Sequence, residues 1–137
     1  MDPTRIFAII SWVLLPTVML GGYSLLSLLV RANPWLTPKR LATFRAGHAH
    51  AGALLVLSLL YYTYLAQTSF SSTVKLIACF VYVLGALAQS GGFFIDMLVE
   101  KRGRLSFGYL MTTLGALLLA SSILLLAYGL AVLPVSN

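Results

Sequence analysis

The chain has 137 residues, 60% hydrophobic and 9% charged, with a mean hydropathy of +0.96. Soluble domains carry about 25% charged residues, so composition excludes an ordinary water-soluble fold. The formal net charge of +6 comes from basic residues set between apolar runs. That placement suits anionic lipid headgroups and needs no nucleic-acid partner.

Four runs are long enough to span a bilayer, which takes about 20 apolar residues. The first covers approximately Ile6–Val30. It is longer than a signal-peptide core of about 7–15 residues and lacks a clean small-residue cleavage site, so it is expected to be retained. Pro16 is expected to kink it. A connection from Arg31 to Arg45 follows, with Asn33-Pro34, Thr37-Pro38 and Trp35 as an interfacial anchor. Two prolines so close together argue against helix across this stretch. The second run is Ala46–Ala66, followed by a serine-rich turn from Gln67 to Thr73. The third is Val74–Val99, and Cys79 within it reads as a small buried hydrophobe with no possible internal disulfide. A charged link, Glu100–Arg104, leads directly into the fourth run, Leu105–Leu133. The expected architecture is all-α: one integral membrane domain over residues 1–137, a four-transmembrane-helix bundle with antiparallel up-down neighbours.

Basic residues orient this bundle. Arg31, Lys39, Arg40, Arg45, Lys101, Arg102 and Arg104 lie in the first and third connections, against Arg5 and Lys75 on the other side. The bias places those two connections in the cytoplasm and both termini outside. Tyr61, Tyr62 and Tyr64 then fall where an outer aromatic belt is expected.

Helices in lipid associate through small and polar residues. The third run carries Gly85, Gln89, Gly92 and Asp96, and the fourth Gly108, Thr112, Gly115, Leu119 and Ser122. Spacings of three and four keep each set on one helical face. The Gly-Gly-Phe-Phe phenylalanines, Phe93 and Phe94, are expected to face lipid or a partner.

Ionisable side chains at membrane depth are costly and mark candidate sites. His48 and His50 occupy the stretch Phe44-Arg45-Ala46-Gly47-His48-Ala49-His50-Ala51-Gly52. At about 1.5 Å rise per residue, His50 lies roughly 7 Å inward from Arg45, matching Asp96 from Lys101 and Tyr109 from Arg104. A polar layer near the cytoplasmic leaflet is therefore expected from His50, Asp96 and Tyr109, with Gln89 beneath it. Residues two apart on a helix point about 200° from one another, so only one histidine faces the centre. His50 is the expected one, with His48 facing headgroups or a neighbouring subunit.

Such a layer suits a ligand or cofactor, haem or a transition metal. His50 or His48 would ligate, Asp96 would orient, and Arg45 would pair with a ligand carboxylate. A structural or assembly subunit, a conjugating enzyme and a small homo-oligomeric transporter remain open alternatives. The lipid bilayer is the one partner implied directly, with a homo-oligomer or a larger membrane assembly beyond it. There is no Cys-x-x-Cys, phosphate loop or nucleophile triad.

The stretch Phe44–Leu59 with Gly91-Gly92-Phe93-Phe94 resembles small uncharacterised four-helix bacterial membrane proteins, which implies a bacterial cytoplasmic membrane. More distantly, the histidine pair resembles haem-ligand helices of haem-copper oxidase-like proteins, which implies His48 or His50 as an iron ligand. The other ligand histidines of that superfamily are absent. Arg45-Ala46 followed by His48 also resembles membrane-associated proteins of eicosanoid and glutathione metabolism. The asparagine and glutamate of their second helix are replaced here by His50, Ala51, Gly52 and Ala53.

Overall fold

A computed structural model describes residues 2–99 and 106–132. Those residues form four α-helices: α1 (Pro3–Val30), α2 (Pro38–Gln67), α3 (Ser72–Leu98) and α4 (Phe107–Ala131). All four are long and apolar enough to cross a membrane. The charged link at 100–104 and the outermost residues of the fourth run lie outside the described segments.

Each helix starts where a side chain can take up a free backbone N–H. Asp2, Thr37, Ser71 and Ser106 cap α1 to α4, accepting from Thr4, Arg40, Val74 and Tyr109. The Thr4 amide and hydroxyl donate to Asp2 at 2.9 and 2.8 Å and hold its carboxyl below the ordinary range. The cap at Thr37 corrects the sequence expectation for α2, which begins at Pro38 rather than near Ala46. Proline lacks an N–H and has a preset φ, so it suits the first helical turn, where that donor has no partner. Pro38 therefore opens the helix, and Lys39, Arg40 and Arg45 are helical. His50 consequently lies twelve residues from the start of α2, about 18 Å along its axis.

The connection before α2 is short. Ala32 turns the chain out of α1 with φ 46°, and Asn33 Oδ1 accepts from the Trp35 amide at 2.9 Å. The Arg40 guanidinium lies 4.8 Å over the Trp35 ring and donates to the Trp35 carbonyl. Farther back, α1 runs unbroken through Pro16.

The helices pack as a rhomb. α2 and α3 touch each other and both of the outer helices, whereas α1 and α4 do not meet. The closest approach is between α3 and α4. A methyl at Gly85 would lie 2.9 Å from Leu119 Cγ, and one at Gly115 would lie 2.7 Å from Gln89 Cα. One at Gly92 would overlap Thr112 and the Gly108 carbonyl. Residue numbers rise along α3 as those of their α4 partners fall, and the small-residue stripes read from the sequence form this seam.

Toward the other end of α2 lies an aromatic and polar knot. Tyr61 and Tyr62 are 4% and 1% exposed, packed with Tyr82, Leu65, Ala78 and Cys79. They are core residues, not the aromatic belt expected; Tyr64 alone faces outward, 48% exposed. The helical rotation between 61 and 65 puts Tyr61, Tyr62 and Leu65 toward α3. Tyr61 Oη lies 2.6 Å from Ser122 Oγ, which also donates to the Ala78 carbonyl at 3.2 Å, tying α2, α3 and α4 together. Apolar side chains cover the outside, including Val13, Met19 and Leu124.

Gly92→Ala is expected to destabilise the protein by about 1–3 kcal/mol through overpacking. Gly91→Ala, where a methyl meets nothing within 4 Å, is expected to leave stability unchanged or raise it by up to about 1 kcal/mol. Unfolding in mixed detergent micelles compares the two.

Candidate functional site

The two histidines diverge as their spacing requires, and both are half-buried. His48 turns toward α1, where its imidazole lies on the backbone of two consecutive glycines. A methyl at Gly22 would stand 3.1 Å from His48 Nε2, and one at Gly21 would stand 3.5 Å from Nδ1. Glycine costs a helix interior roughly 1 kcal/mol relative to alanine. Here the missing side chains leave the space that the ring occupies.

His48 borders a cavity of about 380 Å³ between α1, α2 and α3, together with Thr17, Ser24, Phe44 and Phe94. The Phe44 ring lies 6.0 Å from the imidazole and 5.5 Å from Phe94, edge to face. His48 is half-buried, and among the described residues neither ring nitrogen has a hydrogen-bond partner. A neutral imidazole in this state offers one lone pair and one N–H to whatever enters the cavity.

His50 is already engaged. Its Nδ1 is 2.8 Å from the Ala46 carbonyl of the preceding turn, and its ring packs on Phe93 at 4.9 Å. Phe93 and Phe94 reach α2 because Gly47 has no side chain: a methyl there would meet Phe93 Cβ at 3.0 Å. These rings, both half-buried, therefore pack against α2, which the apolar Gly-Gly-Phe-Phe sequence did not disclose.

The remaining expected site residues lie elsewhere. Asp96 sits against Gly108 in the first turn of α4; a methyl at Gly108 would come 2.5 Å from its Cγ. A carboxylate suits the positive end of a helix. Gln89 belongs to the same α3–α4 seam, its carbonyl accepting from Thr112 Oγ1 at 3.4 Å. Tyr109 is 53% exposed. Arg45 is exposed one turn before His48. Among the described residues no hydrogen bond joins His50, Asp96 and Tyr109. Asp96 and Gln89 serve the α3–α4 seam, and His48 alone of the six enters the groove.

Among the described residues no group of three or more histidine, cysteine, aspartate or glutamate side chains is arranged to hold a metal. A metal in the groove would rest on the His48 imidazole and on ligands brought by a cofactor or a second chain. Gly22, Phe44 and Phe94 complete the site and were not among the site residues expected from the sequence. The signal that points to the first is the Gly21-Gly22 pair within α1. Comparison with protein-family models, curated proteins and solved structures returns no match.

Since a carbonyl can only accept, neutral His50 is expected to carry its proton on Nδ1. Nitrogen NMR of histidine-labelled protein should show that tautomer. Gly22→Leu, which fills the space beside His48, should shift the His48 resonances and leave those of His50 in place.

Proposed function

We propose that this chain is an integral membrane protein that binds a lipophilic ligand or cofactor through His48, with haem as the favoured occupant. The helices cross the bilayer in alternating directions, both termini outside and the first and third connections on the cytoplasmic side. The observation that carries this reading is a half-buried imidazole without a hydrogen-bond partner among the described residues, facing a cavity of about 380 Å³. A histidine kept only for packing would find an acceptor, as His50 does at Ala46.

The surroundings suit a flat, largely apolar group with an acidic edge. Phe44 and Phe94 supply aromatic walls, and the glycine pair lets the α1 backbone come close. Arg45, exposed one helical turn earlier, supplies a cation for a carboxylate at the membrane surface. His48 would hold the haem iron and Arg45 its carboxylate edge, and the group would supply electron-transfer or small-molecule-binding chemistry there. The chain would then act as a haem-binding protein, alone or within a homo-oligomer.

A structural role in a larger membrane assembly is the second reading. It is favoured by α1, which packs only against α2 and α3 and presents Trp12, Val13, Met19 and Leu20 outward, each more than 60% exposed.

The absorbance spectrum of protein purified in mild detergent and reconstituted with haemin separates the two. A Soret band that survives washing, disappears in His48→Ala and persists in His50→Ala is the expected result. Protein that retains neither haem nor a transition metal by elemental analysis leaves the structural reading standing.

A further inference from the structure

A second cavity lies farther along the same three helices, and its chemistry differs from that beside His48. It measures about 190 Å³. Its lining is apolar apart from hydroxyl groups, chiefly Ser11 of α1, Ser58 and Tyr62 of α2, and Ser90 of α3. Among the described residues no charged side chain borders it.

Three tyrosines meet next to it. Tyr82 Oη donates to the Leu54 carbonyl at 3.0 Å, and Tyr61 Oη bonds Ser122. Tyr62, 1% exposed, is different: its hydroxyl has no hydrogen-bond partner among the described residues. Ser11 of α1 faces it and bonds Ser58 at 2.8 Å, but makes no hydrogen bond of adequate geometry with the Tyr62 hydroxyl. The Tyr62 ring cannot easily turn to find another acceptor, because Phe7, Tyr61 and Tyr82 hold it with centroids 5.9, 5.6 and 5.9 Å away. A buried hydroxyl without a partner is uncommon and calls for a physical reason. A ligand acceptor in the adjoining cavity is one.

We propose that this cavity binds a neutral, single-ring carbonyl compound of the quinone type, entering sideways from the lipid and accepting a hydrogen bond from the Tyr62 hydroxyl. The size fits, since an apolar cavity of about 150 Å³ accommodates a benzene ring. The absence of charged lining favours an uncharged molecule. The entrance is set by Ile10 and Leu14 of α1 and Leu87 of α3, which border the cavity and are 43%, 40% and 61% exposed on the apolar exterior. A molecule arriving there comes from the acyl chains, so a carbonyl ring carrying an alkyl or prenyl tail can leave that tail in the lipid. The inference is independent of the role given to His48.

Decyl-benzoquinone and decylbenzene, which lacks the acceptor, are the probes, titrated into detergent-purified protein while tryptophan fluorescence and thermal stability are followed. Saturable quenching by the quinone is expected, weakened about tenfold in Tyr62→Phe and abolished in Ala86→Phe, which fills the cavity wall. Decylbenzene should raise the melting temperature less than the quinone, and equally in wild type and Tyr62→Phe. His48→Ala should leave quinone affinity unchanged, which separates failure of this site from failure of the haem reading. Without ligand, Tyr62→Phe should melt no lower than wild type, because the deleted hydroxyl bonds nothing. Non-saturable quenching, equal quinone affinity in Tyr62→Phe, or a marked loss of unliganded stability in that variant would each overturn the proposal.

Discussion

The arrangement depends on how closely two backbones can approach. Lipid chains are as apolar as leucine, so burying apolar surface between helices gains little, and association must come from close packing and polar contacts. α3 and α4 meet this constraint with Gly85, Gly92, Gly108 and Gly115, positions where a single methyl would collide with the opposite helix. The Asp96 carboxylate and the backbone of Gln89 lie along that seam. Because α3 spends this face on α4, its other side is left for α2 and α1, and there the packing is looser and the cavities lie.

Polar groups follow a consistent rule. Many serine and threonine hydroxyls bond a carbonyl one turn back, as Ser24 does with Leu20 and Ser90 with Ala86. Such bonds satisfy the hydroxyl without linking helices. Few polar side chains cross between elements; Ser58 with Ser11 and Tyr61 with Ser122 are two that do. Against that background His48 and Tyr62 stand out, since each is at least partly enclosed and borders open space without a hydrogen-bond partner among the described residues. They mark the two ends of one side of the molecule, and the cavities beside them share Thr17, Val18 and Ala51 as walls.

The candidate site was legible in part. Histidines inside an apolar run signal a place worth attention by their cost alone, and the helical angle between positions 48 and 50 requires them to diverge. Which of them faces open space depends on α1, since the Gly21-Gly22 pair receives His48 while Phe93 covers His50. No periodicity within α2 carries that information. Depth reasoning also grouped Asp96 and Tyr109 with the histidines, but equal depth does not make neighbours. Rotation of α4 turns Tyr109 outward and leaves Asp96 against Gly108.

From residues alone came the all-helical class, four lipid-length helices, and the small-residue stripes of the third and fourth, because apolar length and glycine spacing are local properties of the chain. The tertiary structure decided the burial of Tyr61 and Tyr62, and the seating of His48 on α1 and of His50 on Phe93. Each of those outcomes depends on the rotation of one helix about its axis relative to its neighbours. In an almost uniformly apolar sequence, hydrophobic periodicity is too weak to specify that rotation, and contacts between helices supply it.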